Sequence, residues 1–156
     1  MIDVTIPGVG RFSFSSLLCD FNGTLAVDGR VLNGVPERLH TLSQKLAIYV
    51  MTADTHGTAR QTLAGLPCTV RVIPRENEDT AKWKFVEEIG AATTVAVGNG
   101  MNDCFMLKGA ALGIAVLGGE GSAVPALTAA DIVVSTITDA LDLLITPLRL
   151  IATLRR

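Results

Sequence analysis

Short apolar runs and amphipathic stretches alternate along the whole chain. Residues 2–6 and 11–15 alternate in polarity around the turn Pro7–Gly10, which predicts an N-terminal β-hairpin. The next apolar run, Leu17–Cys19, ends at Asp20 and a polar segment that contains glycine, as expected of a buried strand followed by a turn. Further apolar runs predict strands near 45–51, 69–73, 94–97, 112–117 and 131–134.

Segments with the apolar periodicity of helices lie between these strands. Apolar side chains recur at helical spacing over 35–46, and further helices are predicted near 55–64, 79–89 and 122–129, with a short one after residue 103. The last helix is expected over 138–154, with a kink at Pro147. Strands and helices that alternate with short connections predict one domain over residues 1–156. Its expected architecture is a three-layer, Rossmann-like α/β fold with a parallel central sheet.

Composition narrows the class of protein. The 156 residues are 49% hydrophobic but only 4% aromatic, which suits a parallel sheet covered on both faces. A formal charge of −2 gives no basic footprint for nucleic acid. No apolar run approaches the roughly 20 residues needed to span a bilayer, and the N-terminus does not resemble a signal peptide. The three cysteines, Cys19, Cys68 and Cys104, are too far apart for a zinc knuckle and are expected to be reduced and buried. We therefore expect a cytoplasmic protein with neither nucleic acid nor membrane as a partner.

Four polar clusters fall at predicted strand ends or at a helix start. They are Asp20–Thr24, Thr52–Asp54, Lys82 and Asn99–Asp103. Taken singly, they could be a turn acid, a helix cap, a solvated surface lysine and a glycine-rich turn. In open α/β sheets, however, ligands bind outside the carboxyl ends of the strands.

Together the clusters supply the groups that phosphoryl transfer requires. One carboxylate can attack phosphorus, and a second can help to hold Mg²⁺, which takes one or two protein carboxylates together with water and phosphate oxygens. A hydroxyl and a lysine can bind the phosphoryl oxygens and balance their charge. The pattern therefore indicates a small phosphorylated substrate.

The same clusters resemble the motifs of the haloacid dehalogenase-like (HAD) superfamily. Leu18–Thr24 resembles the first motif, an Asp-x-x-Gly-Thr loop after a hydrophobic strand. Thr52 resembles the second motif, and Lys82 resembles the third. Val97–Asp103 is similar to the fourth, normally Gly-Asp-Gly-x-Asn-Asp. Four ordered motifs are far more specific than one.

A narrower resemblance points to the phosphorylation domains of P-type ATPases. Thr52–Asp54 looks like their Thr-Gly-Asp, and the stretches 111–116 and 129–134 are similar to the end of those domains. The likeness covers roughly residues 15–135. Small soluble relatives of these ATPases, which lack membrane helices and a nucleotide-binding insert, look most similar.

The resemblance implies a Mg²⁺-dependent phosphatase, a hydrolase of phosphoric monoesters or anhydrides, that forms an aspartyl-phosphate on Asp20. The residues that it implies fall into three overlapping sets: catalytic Asp20, Asn22, Thr52 and Lys82; phosphate-binding Thr52, Ala53, Lys82 and Asn102; and metal-binding Asp20, Asn22, Asn99 and Asp103. The metal would lie between Asp20, the backbone carbonyl of Asn22 and Asp103, the last directly or through water.

The resemblance also implies a fold without a cap domain. The interval between Thr24 and Val35 leaves room only for a short flap. A macromolecular substrate or a neighbouring subunit could then cover the open site. The N-terminal hairpin and a mean hydropathy of +0.44 are compatible with a homo-oligomer.

Two positions depart from the usual motifs. Asn22 stands where HAD phosphatases have the Asp that protonates the leaving alcohol and then activates water, and an amide can do neither. Because general acid–base catalysis contributes about 10²–10⁴ in rate, we expect slow hydrolysis of alkyl phosphates. Acyl, anhydride or aryl phosphates, and a long-lived phosphoenzyme, are favoured instead. Asn99 replaces a common acid of the fourth motif and predicts weaker Mg²⁺ binding.

These departures keep an alternative open. The same cleft could belong to a catalytically weak module that binds phosphate or a protein partner. Other HAD chemistry, such as mutase, dehalogenase or phosphotransferase activity, is a further alternative. Dehalogenation is disfavoured because the pair Asn102–Asp103, typical of the Mg²⁺-dependent members, is present.

Overall fold

The computed structural model describes residues 1–54 and 57–156. Its strands, in chain order, are β1 (Ile2–Ile6), β2 (Gly10–Phe14), β3 (Ser16–Asp20), β4 (Ala26–Val27), β5 (Arg30–Val31), β6 (Ala47–Thr52), β7 (Thr69–Val72), β8 (Thr94–Gly98), β9 (Leu112–Val116) and β10 (Ile132–Val134). Its α-helices are α1 (Val35–Ser43), α2 (Thr58–Thr62), α3 (Glu78–Ile89), α4 (Cys104–Gly109), α5 (Val124–Ala129), α6 (Ile137–Ile145) and α7 (Pro147–Leu154). Short 3₁₀ turns occupy Ala91–Thr93 and Met101–Asp103.

The centre of the fold is a parallel sheet of six strands in the order β10-β9-β8-β3-β6-β7. Strands β3, β8 and β9 are buried at every residue, as expected of strands covered on both faces. Buried apolar side chains form one cluster with α1, α2 and α6 and a second with α3, α4 and α5. The prediction of a three-layer α/β fold with a parallel sheet is confirmed.

The strand order reverses at β3. From β3 the chain runs outward to β6 and β7, and it then returns to β8 on the opposite side of β3. Such a reversal leaves a crevice at the carboxyl ends of the central strands. The polar ends of β3, β6 and β8 therefore meet at one edge of the sheet.

Two small hairpins flank this sheet. Strands β1 and β2 pair antiparallel, and Ile2, Val4 and Ile6 are buried along one face of β1, which confirms the predicted N-terminal hairpin. Strands β4 and β5 form a short flap after β3. No cap domain is inserted in the part of the chain that the structure describes, as predicted.

The C-terminal helix is the clearest error of the sequence prediction. A single helix kinked at Pro147 was expected, but α6 ends at Ile145 and α7 begins at Pro147. Thr146 between them has non-helical backbone angles of φ −120° and ψ 77°. A residue before proline is sterically excluded from the helical region, while proline itself suits the first position of a new helix.

Two further expectations are met only in part. The helix predicted near 55–64 appears as α2, and its first two predicted residues, Thr55 and His56, lie outside the described residues. Cys19 is buried, but Cys68 and Cys104 are only partly so. Within the described residues all three cysteines are free of disulfides, as predicted.

Candidate active site

Asp20 is the last residue of the central strand β3. The strand pairs with β6 on one side and β8 on the other, so its backbone is held from both directions. All five residues of β3 are buried, and Asp20 itself is 8% exposed. The apolar run thus carries one carboxylate to the crevice and holds it at the base.

Lys82 lies in α3 and has no exposed surface. Its Nζ atom donates hydrogen bonds of 2.6 Å to Asp20 Oδ1 and of 2.6 Å to Asp103 Oδ1. The reading of Lys82 as a solvated surface charge is therefore wrong. A single ammonium group joins two carboxylates from separate segments of the chain.

Asp103 is fixed by further hydrogen bonds. Its Oδ2 atom accepts from the backbone N–H groups of Asn99 at 2.9 Å and Gly100 at 2.8 Å. Gly98 leaves the room for this side chain, because a Cβ atom there would lie 2.5 Å from Asp103 Cγ. Both carboxylate oxygens of Asp103 are thus engaged within the protein.

The charges in this cluster perturb one another. The pKa of Asp20 is raised to about 7, chiefly by burial and also by the nearby Asp103 carboxylate, while Lys82 acts in the opposite direction. Burial by itself would lower the pKa of Lys82, but the two carboxylates outweigh it and the net shift is upward. Lys82 therefore stays charged, and Asp20 retains an affinity for a proton or another cation.

Thr52 ends the neighbouring strand β6 and is buried. Its Oγ1 atom accepts a hydrogen bond of 3.1 Å from the backbone N–H of Asp54. Asp54 in turn accepts one of 2.7 Å from the backbone N–H of Ala59 in α2. These bonds hold the turn Thr52–Asp54 at the crevice.

A cavity of about 470 Å³ opens at this edge of the sheet. Its lining includes six of the residues predicted for the site: Asp20, Asn22, Thr52, Ala53, Asn99 and Asn102. The other two, Lys82 and Asp103, are fully buried and adjoin it through the Lys82–Asp20 contact. Most of the side chains that line the cavity are polar or charged, which suits an ionic ligand.

Asn99 connects loops around the cavity. Its Oδ1 atom accepts a hydrogen bond of 3.1 Å from Thr24 Oγ1, and its Nδ2 atom donates one of 2.9 Å to the backbone carbonyl of Gly121. Its own backbone carbonyl accepts from Ser122 Oγ at 2.9 Å. Gly23 permits this approach, since a Cβ atom there would lie 2.4 Å from Asn99 Nδ2.

The cavity also contains residues that the sequence motifs did not indicate. Arg75 precedes α3 and Glu78 begins it, and both line the cavity. Glu78 Oε2 accepts a hydrogen bond from Asn102 Nδ2. The only sequence signal was their position a few residues before Lys82, which does not distinguish a cavity wall from an ordinary charged helix start.

The oxygen donors at the cavity are compatible with a Mg²⁺ ion that keeps several of its waters. Within residues 1–54 and 57–156, no three His, Cys, Asp or Glu side chains are grouped so as to hold a metal ion. Asp20 lines the cavity, whereas the oxygens of Asp103 are already engaged. Asp20 is the one carboxylate of the predicted metal-binding set that lines the cavity, and with the amide oxygens nearby it is compatible with Mg²⁺, which keeps several waters.

No family model matches the chain. It is, however, 46% identical over 83 residues to the uncharacterized protein MJ0073 of Methanocaldococcus jannaschii, a match that spans 51% of this chain and 89% of that protein. This chain belongs to the MJ0073 family. A second protein of the same organism, MJ0072, is 49% identical over 39 residues, or 25% of this chain and 89% of MJ0072.

Solved structures identify the fold of this MJ0073-family chain as that of the HAD superfamily. One is a 3-deoxy-D-manno-octulosonate 8-phosphate phosphatase from Moraxella catarrhalis, in complex with magnesium, phosphate and KDO. It has a TM-score of 0.69 and 15% identity over 91% of this chain and 94% of that one. A cobalt-bound phosphatase from Haemophilus influenzae gives 0.70 and 15% over 85% and 88%. A phospho-aspartyl intermediate analogue of phosphoserine phosphatase gives 0.66 and 16% over 83% and 98%.

No helix of the MJ0073-family chain within the described residues has the length and apolarity that crossing a membrane requires.

Proposed function

We propose that this chain is a Mg²⁺-dependent phosphatase that acts through an aspartyl-phosphate on Asp20. The observation that carries the proposal is the contact of one buried lysine with two carboxylates, Lys82 with Asp20 and Asp103, beside a polar cavity at the carboxyl edge of the sheet. The Moraxella phosphatase of the same fold, bound to magnesium and phosphate, supports it.

In this proposal Asp20 attacks phosphorus from the base of the cavity. Lys82 remains charged throughout and stabilises first the carboxylate and then the transferred phosphoryl group. Thr52 and Asn102, which line the same cavity, provide hydrogen-bonding groups for the phosphoryl oxygens, as does the backbone at Ala53. Asp103 orients Lys82 from the buried side.

The residues that would hold the metal are Asp20, the backbone carbonyl of Asn22 and the amide oxygen of Asn99, with Asp103 acting through water. When bound, Mg²⁺ would offset the negative charge of the phosphate and of Asp20. Asn99 can contribute only by sharing or giving up the hydrogen bond from Thr24. We therefore expect weak Mg²⁺ affinity.

Asn22 limits which substrates react well. It is exposed and lines the cavity, where an Asp would protonate the leaving group. An amide has no proton to give near neutral pH. Substrates whose leaving group departs without a proton are therefore favoured, and the aspartyl-phosphate should be hydrolysed slowly.

A comparison of wild type with Asp20→Asn tests the proposal. Both proteins would be assayed with and without MgCl₂ against alkyl, aryl, acyl and anhydride phosphates, with phosphate release as the measurement. We expect Mg²⁺-dependent turnover by the wild type alone. Equal rates for the two proteins on every substrate would refute the proposal.

We do not favour the alternative of a catalytically weak binding module, because the nucleophile, the lysine and the second acid are all retained in contact. The closer similarity to soluble relatives of P-type ATPases remains part of the proposal. A single domain over residues 1–156, a cytoplasmic location and a homo-oligomer also stay predictions.

A further inference from the structure

Arg75 lies in the connection between β7 and α3 and lines the same cavity as Asp20 and Thr52. Its side chain is exposed, whereas Asp20 is 8% exposed. The nucleophile thus lies at the base of the cavity and the guanidinium at its solvent side.

The carboxylates of the cavity are engaged with other groups. Asp20 pairs with Lys82, Asp54 accepts from the backbone of Ala59, and Glu78 accepts from Asn102. Among the described residues, Arg75 forms no ion pair and no hydrogen bond, and it is the one cationic side chain in the lining. A guanidinium in this position is available to an anion that enters the cavity.

The geometry of phosphoryl transfer indicates which anion Arg75 would contact. In phosphoryl transfer the attacking and leaving oxygens lie roughly in line on opposite sides of phosphorus. A phosphorus atom attacked by Asp20 at the base therefore directs its leaving group toward the exposed side, where Arg75 lies. Arg75 is placed to meet the leaving group, while Lys82 meets the nucleophile.

We propose that Arg75 binds the leaving group through two of its oxygens, so that the substrate is an acyl phosphate or a phosphoanhydride. This inference rests on the proposed phosphatase function and narrows its substrate class. A guanidinium matches the paired oxygens of a carboxylate or phosphate, and a phenolate offers only one. Charge that develops on the leaving oxygens is stabilised by Arg75, which fulfils the need that Asn22 leaves unmet.

The chemical step balances without a general acid. A carboxylate oxygen of Asp20 forms a bond to phosphorus, and the bond from phosphorus to the leaving oxygen breaks. The leaving group keeps that electron pair and departs as a carboxylate or phosphate anion. A water oxygen then attacks phosphorus, the bond to Asp20 breaks with its electron pair returning to the carboxylate, and a proton of the water passes to the departing phosphate.

The test compares Arg75→Gln with wild type on three substrates with Mg²⁺ present. Acetyl phosphate has a carboxylate leaving group, pyrophosphate a phosphate, and p-nitrophenyl phosphate a phenolate. Arg11→Gln, in the N-terminal hairpin and outside the cavity lining, is the matched control for lost charge. Asp20→Asn reports whether any turnover uses the proposed nucleophile.

We expect Arg75→Gln to lower kcat/KM about 10- to 100-fold for acetyl phosphate or pyrophosphate, whichever the wild type hydrolyses. The loss for p-nitrophenyl phosphate should stay within about threefold, and Arg11→Gln should match wild type. An equal loss on all three substrates, no loss on any, or wild-type turnover of p-nitrophenyl phosphate alone would overturn the inference but leave the phosphatase intact. Absence of Asp20-dependent turnover would overturn both.

Discussion

The hydroxyl of Thr24 donates a hydrogen bond of 3.1 Å to the side-chain oxygen of Asn99. The other end of the same amide donates to the backbone carbonyl of Gly121. Because a carboxylate has no N–H, an Asp at position 99 would keep the first bond and lose the second. The amide at this position thus links two loops that an acid would push apart.

We predict that Asn99→Asp destabilises the protein by about 1 kcal/mol without Mg²⁺, because it sets a carboxylate against the carbonyl of Gly121. Urea unfolding with EDTA present measures the effect. Asn33→Asp, at an exposed position outside the cavity, is the matched control for added charge. Equal stability of the two variants would contradict the claim that the Asn99 amide stabilises the fold through its hydrogen bond to Gly121.

Lys82 should contribute to the stability of the fold as well as to the chemistry. Lys82→Met leaves Asp20 and Asp103 buried without their shared cation, so we predict a loss of about 3–5 kcal/mol at pH 8. The loss should shrink at pH 5.5, since a proton can then neutralise one carboxylate in the folded state. Chemical denaturation at both pH values is the measurement. Lys84→Met, exposed on the same helix, should change little at either pH, and a pH-independent loss in Lys82→Met would count against the carboxylate pair.

Burial of Asp20 predicts a gain in stability when its charge is removed. Its pKa of about 7 exceeds the unfolded value, so the folded state binds the proton more tightly than the unfolded chain. The contribution of Asp20 to stability therefore falls as the pH rises from about 4 to 7 and stays low above that range.

We expect Asp20→Asn to raise Tm at pH 8 without Mg²⁺ by a few degrees, about 2–4 °C per kcal/mol. Lys82 keeps Asp103 as a partner in this variant. Near pH 4 the two proteins should melt together, as thermal melts at both pH values would reveal. A lower Tm for Asp20→Asn at pH 8 would mean that attraction by Lys82 outweighs the cost of burial.

A substitution at Gly98 tests whether the position of Asp103 matters. A Cβ atom would overlap the carboxyl carbon of Asp103, and we predict a cost of about 1–3 kcal/mol for Gly98→Ala together with loss of turnover. Gly119→Ala places its Cβ atom 3.3 Å from a methyl group of Val27 and serves as the control. If Gly98→Ala kept the kcat of the wild type, the position of Asp103 would not matter for catalysis.

The sequence predicted most of the fold because apolar runs locate strands well. The apolar runs before Asp20 and Asn99 form strands β3 and β8. Each strand ends within one residue of the start of the polar segment that follows it. The break at Thr146 was missed because a proline within a helical pattern can either kink or end a helix. The local sequence does not distinguish the two outcomes.

The burial of Lys82 and the bond of Asn99 to Gly121 depend on contacts distant in sequence. Lys82 reaches Asp20 across 62 residues, and Asn99 reaches Gly121 across 22. Periodicity describes one segment at a time and does not report such contacts. The HAD motifs singled out Lys82 and Asn99, but they gave no sign that Arg75 and Glu78 share the cavity.

The central claim, phosphorylation of Asp20, can be measured directly. Wild type would be mixed with acetyl phosphate and Mg²⁺, quenched, and reduced with borohydride, which converts an aspartyl-phosphate into homoserine. Peptide mass spectrometry then locates the change. We predict homoserine at position 20 in wild type and less of it in Asn22→Asp, which hydrolyses the intermediate faster. Turnover by wild type with position 20 unmodified, or with another residue converted, would contradict the account.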